Sequence, residues 1–293
     1  MLHVSQLSKS FKGHEVVSNV SFELKSKQAT ALIGPNGAGK TTILSMLAGI
    51  LEPTSGTITM DGKRVNFKDI GFLPQYPKFF DSLSAREFLE MCGQLNGMKH
   101  TEIRERADEV LKFVGLIDVM HKKTSTFSGG MKQRLGIAQA IFHKPKLLLL
   151  DEPVSALDPV GRREMMELLK ALQKETTILY STHILNDAEQ MTDEVLFIKN
   201  GQLVESGSLQ SVKSKYAEDM YVIEAKNIND ATRLSMQAPF AVEVDGVFVK
   251  VRVVEGMSMR YIHAWLVEQP FDVVKVEKQA ATLEEIFMKV AGR

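Results

Sequence analysis

The chain has 293 residues, of which 44% are hydrophobic and 25% are charged, proportions that are ordinary for a soluble globular protein. A chain of this length can bury a large core, and we expect it to form two domains. Its 36 basic and 36 acidic residues cancel, so the global charge gives no indication of a surface for nucleic acid or anionic lipid.

The cysteine content and the hydropathy of the chain indicate its cellular compartment and exclude some kinds of structural and metal site. The single cysteine, Cys92, excludes an intramolecular disulfide and a cysteine-cluster metal site, and it fits a reducing compartment. The first residues lack the pattern of a secretory signal, and no apolar run approaches the roughly 20 residues that span a bilayer. We therefore expect any membrane role to come through a partner.

Predicted strands and helices alternate as far as Lys215. Alternating or continuous apolar residues predict strands at 2–7, 16–24, 29–33, 57–60, 70–73, 146–150, 177–180, 195–198 and 202–205. A helical period predicts helices after Lys40, within 88–95, 103–114 and 128–141, and at 163–173 and 184–190. The segment 8–13 is predicted to be a polar turn that carries Phe11. This order predicts a mostly parallel sheet covered on both faces, with a helical insertion at about 80–142.

The last part of the chain has a different pattern. It predicts a strand at 221–225, a helix at 228–238, a hairpin of 241–244 with 247–253, a helix at 258–268 and a strand at 272–276. The order β-α-β-β-α-β is that of ferredoxin-like domains. A final helix is predicted at 282–290, with Thr282 as its N-cap and Glu285 in the capping-box position. We place the domain boundary near Lys215, which gives domains 1–215 and 216–293.

Residues 29–50 combine a buried strand, a glycine-rich turn and an amphipathic helix, which is the context of the phosphate-binding pattern G-x-x-x-x-G-K-[ST]. Glycines let the backbone approach a polyphosphate closely, and the helix N-terminus adds positive potential. The lysine would contact the β- and γ-phosphates and the first threonine a Mg²⁺ ion. The alternative is a glycine-rich turn before an ordinary helix. The turn and the helix start are Gly34, Pro35, Asn36, Gly37, Ala38, Gly39, Lys40, Thr41 and Thr42.

An acidic pair follows the apolar strand at 146–150. Asp151 and Glu152 would lie at the carboxyl edge of the sheet, where open α/β sheets bind their ligands. Asp151 could hold Mg²⁺ through water, and Glu152 could polarise an attacking water. The alternative is a pair of solvated acids at a strand end, and the phosphate loop favours the functional interpretation.

The helix after residue 127 starts with Ser128, Gly129 and Gly130. Ser128 is a good N-cap, and the two glycines leave the helix N-terminus open, as an anion site requires. The alternative is a capped, flexible helix start, and the segment on its own favours this alternative.

Four further residues are ambiguous when they are taken singly. Gln75 and His183 each follow a predicted strand, and Asp158 follows the acidic pair, yet each could be purely structural. Phe11 is either a core residue at a hairpin end or a platform for a flat ligand.

Taken together, residues 1–215 resemble the ATP-binding subunit of ABC transporters. The resemblance rests on the order of the motifs in this chain and above all on the highly specific stretch SGGMKQR. The matching segments are GPNGAGKT at 34–41, Gln75, SGGMKQR at 128–134, LLLLDE at 147–152, SALD at 155–158, and His183.

The resemblance implies an α/β fold: a P-loop NTPase core with an antiparallel β-subdomain, a helical insertion and a small C-terminal α+β domain. It implies a Mg²⁺-dependent ATPase with catalytic Glu152, His183 and Gln75. Thr41, Gln75 and Asp151 would hold the metal, and Phe11 would stack on adenine. The other ATP-contacting residues would be the loop 34–42 together with Ser128, Gly129, Gly130, Gln133 and Asp158.

The resemblance also implies partners. It predicts a head-to-tail pair of ATPase subunits, as a homodimer or with a paired subunit, and a separate polytopic membrane permease. The chain itself would be cytoplasmic and peripheral on the cytoplasmic face of the membrane. The final part, ending TLEEIFMKVAGR, resembles the tails of exporters with ABC-2-type permeases, including drug and antibiotic-resistance systems. No nucleic-acid partner is expected. The alternative is a soluble regulatory ABC ATPase that controls a partner complex.

Overall fold

The structure is a computed structural model that describes residues 1–155, 157–217, 220–253, 257–279 and 281–291. It divides into two compact units, one formed by Met1–Leu209 together with the chain from Phe287 onward, and one formed by Gln210–Ile286. Among the described residues, no helix combines the length and the apolar character that crossing a bilayer requires.

The first unit contains two sheets and the helices that flank them. Its strands are β1 (Leu2–Phe11), β2 (His14–Leu24), β3 (Ala29–Ile33), β4 (Ser55–Met60), β5 (Lys63–Arg64), β6 (Ile70–Leu73), β7 (Leu147–Asp151), β8 (Thr177–Thr182), β9 (Glu194–Lys199) and β10 (Gln202–Ser208). Its helices are α1 (Lys40–Leu47), α2 (Ala85–Leu95), α3 (His100–Phe113), α4 (Gly129–Ile141), α5 (Pro159–Gln173) and α6 (Leu185–Met191). The helix α7 (Leu209–Tyr216) follows β10.

The larger sheet is the predicted parallel one. Its order is β10-β9-β3-β8-β7-β6, and all neighbours are parallel except β10, which runs antiparallel to β9. All residues of β3, β7 and β8 are buried, as expected for central strands covered on both faces. The second sheet is antiparallel, with the order β2-β1-β4-β5. The predicted fold class, with α2–α4 as the helical insertion, is confirmed.

Two local predictions were wrong, and each has a physical cause. The turn predicted at 8–13 is shorter, because β1 continues to Phe11 and only Lys12 and Gly13 reverse the chain, both with positive φ. Helix α5 begins four residues before the predicted start at Arg163. Asp158 accepts a hydrogen bond from the Gly161 N–H, 3.0 Å, and Pro159 takes the first helical position, where its missing N–H costs nothing.

The second unit has the predicted ferredoxin-like order. Its elements are β11 (Met220–Ala225), α8 (Ile228–Gln237), β12 (Val242–Asp245), β13 (Phe248–Arg252), α9 (Met259–Val267), β14 (Val273–Lys278) and the start of α10 (Leu283–Ala291). The antiparallel sheet has the order β12-β13-β11-β14, and Ile223, Leu234, Val249 and Ile262 are fully buried in its core. The predicted capping box is present, since the Glu285 N–H donates to Thr282 Oγ1.

A close approach between α4 and β6 gives a stability prediction. A Cβ on Gly71 would fall well inside van der Waals contact of the Ala140 carbonyl oxygen, which is helix backbone and cannot move aside cheaply. We expect Gly71→Ala to lower the free energy of unfolding by about 3 kcal/mol, the upper range for overpacking. Urea unfolding followed by circular dichroism measures this change. Gly129→Ala, where a Cβ meets nothing within 4 Å, is the matched control, and equal stabilities of the two variants would contradict the prediction.

Candidate active site

The glycine-rich loop joins β3 to α1 at the carboxyl edge of the parallel sheet. Gly39 precedes the helix with φ 102°, a left-handed conformation that favours glycine. Gly34 packs so closely against the carbonyl oxygen of Ile198 in β9 that a Cβ could not be accommodated. The loop therefore requires glycine at both ends, and it presents its backbone together with the N-terminus of α1 to one cavity.

Lys40 is a buried cation at the base of this loop. Its side chain is 7% exposed, and Nζ donates to the carbonyl oxygens of Gly34, 2.8 Å, and Pro35, 3.2 Å. Nζ also lies 3.7 Å from Glu152 Oε1. Burial lowers the pKa of Lys40, while the carboxylates of Glu152 and Asp151 act in the opposite direction. The loop thus holds a desolvated positive charge beside two acids.

Asp151 and Glu152 lie where β7 ends. Asp151 Oδ2 accepts a hydrogen bond from Thr41 Oγ1, 2.8 Å, and Oδ1 accepts one from Ser181 Oγ, 2.6 Å. Glu152 is only 6% exposed, and its Oε2 lies 2.8 Å from His183 Nδ1. Both carboxylates are buried and have side-chain partners within the site. The alternative interpretation, a pair of solvated acids at a strand end, is therefore wrong.

These groups surround one cavity of about 360 Å³. It is lined by Val16, residues 36–42, Gln75, Asp151 and Glu152. Gln75 reaches it because β6 is paired with β7, as parallel strands deliver their following residues to one edge. His183 does not line the cavity but contacts Glu152, and half of its side chain is exposed.

The donor set in this cavity fits magnesium. The Thr41 hydroxyl and the Asp151 carboxylate are in direct contact, and the Gln75 amide shares their cavity, which gives the hard oxygen ligands that Mg²⁺ takes. The described residues contain no cluster of three or more histidine, cysteine or acidic side chains that could cage a metal. A site with few protein ligands is typical of Mg²⁺ that is held partly by substrate phosphates.

Six other predicted site residues do not line this cavity. Phe11 is 44% exposed at the end of β1, with Lys9 Nζ 5.2 Å from its ring centroid. Ser128 caps α4 by accepting from the Met131 N–H, and Gly129 is open to space. Asp158 caps α5, as described above. Phe11, Ser128, Gly129, Gly130, Gln133 and Asp158 are thus not among the residues that line this cavity.

Gln133 is held by a hydrogen bond within its own chain. It is 4% exposed, and its Nε2 donates to the Pro153 carbonyl oxygen, 3.1 Å. It therefore ties α4 to the segment directly after the acidic pair.

Two residues of the site were not predicted from the sequence. Val16 lines the cavity from β2, and Ser181 bonds to Asp151 from β8. The polar run Ser181-Thr182-His183 after an apolar strand was a usable signal for Ser181. For Val16 the alternating pattern of β2 indicated only a half-buried strand.

A phosphate loop, an adjacent buried acid pair and a histidine at the edge of a parallel sheet define a P-loop ATPase. Comparisons with known proteins give the family. Residues 17–155 match the ABC transporter domain, and residues 207–291 match the C-terminal domain of DrrA1-3-like ATP-binding proteins.

Full-length relatives and a solved structure agree with this match. The chain is 42% identical to the uncharacterized ABC transporter ATP-binding protein YxlF of Bacillus subtilis (strain 168), over 99% of both chains. It is 35% identical to the bacitracin transport ATP-binding protein BcrA of Bacillus licheniformis, over 100% of this chain and 97% of that one. A dimeric post-hydrolysis ATP-binding cassette bound to ADP and Pi superposes with a TM-score of 0.65 at 27% identity, covering 71% of this chain and 99% of that chain.

The chain belongs to the ATP-binding proteins of ABC transporters. It is the subunit that binds and hydrolyses ATP.

Proposed function

We propose that this chain energises export through a separate membrane permease of the ABC-2 type. The observation that carries the hydrolytic part is the convergence of Lys40, Thr41, Asp151 and Glu152 on one cavity. The export part is supported by the match of residues 207–291 to a DrrA-like domain and by the bacitracin transport relative. No described contact and none of these relatives favours the regulatory alternative.

Phosphate binding is assigned to the loop. Its backbone amides and the N-terminus of α1 attract the phosphates, and Lys40 exchanges its carbonyl partners for the β- and γ-phosphate oxygens. Phe11 stacks on the adenine, since nearly half of its surface is free at the tip of the β1–β2 hairpin. The carbonyl partners are neutral, so a charged phosphate competes with them effectively.

Magnesium is assigned to Thr41, Asp151 and Gln75. When bound, Mg²⁺ neutralises negative charge on the transferred phosphoryl group. Thr41 and Asp151 are already in contact, so their oxygens need little reorganisation to serve as ligands.

Activation of water is assigned to Glu152. Its carboxylate lies at the cavity wall between Lys40 and His183 and can accept a hydrogen bond from a water placed in line with the γ-phosphate. His183 orients this carboxylate through Nδ1 and, with half of its ring exposed, can also reach the γ-phosphate.

Completion of the site is assigned to a second ATPase subunit, in a homodimer or a heterodimer. Ser128, Gly129 and Gly130 lie exposed or half-exposed at an open helix N-terminus, which suits the γ-phosphate of the opposite subunit. Gln133 and Asp158 are placed in the same interface, where Asp158 fixes the start of α5 and Gln133 fixes α4 against Pro153. ATP then favours the closed dimer because it contacts both subunits.

The permease is assigned to the surface beside Gln75 and the helical insertion. Tyr76 is 74% exposed and Phe80 is 59% exposed there, and exposed aromatic side chains are typical of protein interfaces. The subunit would thus be cytoplasmic and peripheral on the inner face of the membrane. We assign 1–215 as the ATP-binding domain and 216–293 as an accessory domain for dimer contacts or regulation.

Purification of the full chain from detergent-solubilised membranes tests the export proposal. We expect a polytopic membrane protein to co-purify in a fixed ratio and to raise the ATPase rate when the two are reconstituted in vesicles. The double variant Tyr76→Asp with Phe80→Asp should lose this partner while it keeps ATP binding. Recovery of ribosomes or DNA in place of a membrane protein would contradict the proposal.

A further inference from the structure

Ser181 connects the two acidic residues of the site. It lies fully buried near the end of β8, and the parallel register places it directly opposite Asp151. Its Oγ donates to Asp151 Oδ1, 2.6 Å, and accepts the backbone N–H of Glu152, 2.9 Å. A serine hydroxyl has one proton to donate, and here that proton is committed to the carboxylate.

The first bond fixes the rotation of the Asp151 carboxylate. Ser181 Oγ donates to Oδ1 of Asp151, while Thr41 Oγ1 donates to its Oδ2 at 2.8 Å. Two hydroxyls from different elements therefore hold the carboxylate from both sides, and Oδ2 is the oxygen turned toward the phosphate loop. Hydrogen bonds of this kind orient metal ligands and strengthen their hold on the ion.

The second bond fixes the turn at Glu152. This residue has φ 50°, a left-handed conformation that is uncommon outside glycine. The conformation directs its side chain to Lys40 Nζ, 3.7 Å, and His183 Nδ1, 2.8 Å. Loss of the Ser181 hydroxyl would leave the backbone N–H of Glu152 buried and without this hydrogen-bond acceptor.

We infer that Ser181 is a positioning residue for ATP hydrolysis, which sets the geometry of both the metal-binding Asp151 and the water-activating Glu152. The inference rests on the roles proposed above for those two acids. Ser181 touches neither the nucleotide nor the metal in this mechanism, and it acts only through its two neighbours.

A matched pair of variants distinguishes an effect of Ser181 on the geometry of the site from a general effect on the stability of the fold. Ser181→Ala removes the hydroxyl at the site end of β8. Thr177→Val removes another buried β8 hydroxyl, which accepts the Lys27 N–H at 2.9 Å at the opposite end of the strand. Both variants should lower the melting temperature, because each removes the side-chain acceptor of a backbone N–H, that of Glu152 in a buried position and that of Lys27 in a partly buried one.

Only Ser181→Ala should change the site. We expect kcat to fall about 10- to 100-fold, the usual effect of losing such a supporting bond. Binding of a fluorescent ATP analogue in EDTA should stay unchanged, whereas the extra affinity gained on adding Mg²⁺ should fall about tenfold. Thr177→Val should match the wild type in all three measurements. Ser181→Cys, which keeps a weak donor, should lie between the wild type and Ser181→Ala, and it carries the test if the alanine variant does not fold.

A third variant, Asp151→Asn, distinguishes failure of this inference from failure of the proposed function. If Asp151→Asn loses the Mg²⁺-dependent gain in affinity but Ser181→Ala behaves as Thr177→Val does, the role of Ser181 is refuted and that of Asp151 stands. If Asp151→Asn keeps both the gain and hydrolysis, the proposed metal site is wrong and the inference falls with it.

Discussion

Lys40→Ala is expected to lower ATP turnover by about 10³-fold, the loss associated with removing one preorganised electrostatic contact at a reacting group. Among the described residues that line the cavity, Lys40 is the only cation, so none of them can replace its charge at the phosphates. Release of phosphate at saturating ATP and Mg²⁺ measures the effect, and equilibrium binding of ATP should weaken in parallel.

Lys170→Ala is the control for this variant, because Lys170 is an exposed lysine in the last turn of α5. It should hydrolyse ATP at the wild-type rate. Thermal unfolding of both variants without nucleotide shows whether the loss is local. Normal turnover by Lys40→Ala would refute the assignment of the phosphate site.

Glu152→Gln is expected to trap ATP. The amide keeps the size of the side chain but cannot take a proton from water, so turnover should fall by about 10²- to 10⁴-fold, the usual contribution of a general base. Because Lys40, Thr41 and Asp151 remain, ATP should still bind and should hold two subunits together. Size-exclusion chromatography with ATP should therefore show a dimer, and the same variant without ATP a monomer.

Two further variants sharpen this experiment. Glu175→Gln changes an exposed glutamate in the same way and should leave turnover and oligomeric state unchanged. Ser128→Arg, placed in the Glu152→Gln background, puts a bulky side chain at the open end of α4 and should abolish the dimer while ATP still binds. A Glu152→Gln protein that hydrolyses ATP normally, or stays monomeric with ATP, would count against the mechanism.

Most of the fold could be predicted because local pattern and global structure agree. The strand β3, the loop and the helix α1 are specified within about twenty residues of sequence, and Leu147–Asp151 is apolar enough to be a central strand. The predictions that failed have local causes. The early start of α5 depends on Asp158, and α7 was missed because its polar residues, including Lys213 and Lys215, showed no clear apolar face.

The site was predictable only as a set of motifs. Each motif identified its own residues, Lys40 and Thr41 after a glycine-rich turn and Asp151 and Glu152 after a strand, but not the contacts between the motifs. It could not give the register that places Ser181 opposite Asp151, because that pairing joins strands whose alignment is fixed by the whole sheet.

The strand order has a consequence for how this subunit becomes active as it is made. β8 lies between β3, which leads into the phosphate loop, and β7, which carries the acids, although it is the last of the three in the chain. During synthesis the loop and the acidic strand emerge first, with no neighbouring strand to join them. The contact between Thr41 and Asp151 therefore spans a strand, Thr177–Thr182, that is synthesised after both of these residues. The site can be expected to form only late in synthesis, once this strand is available to pair with both of its neighbours.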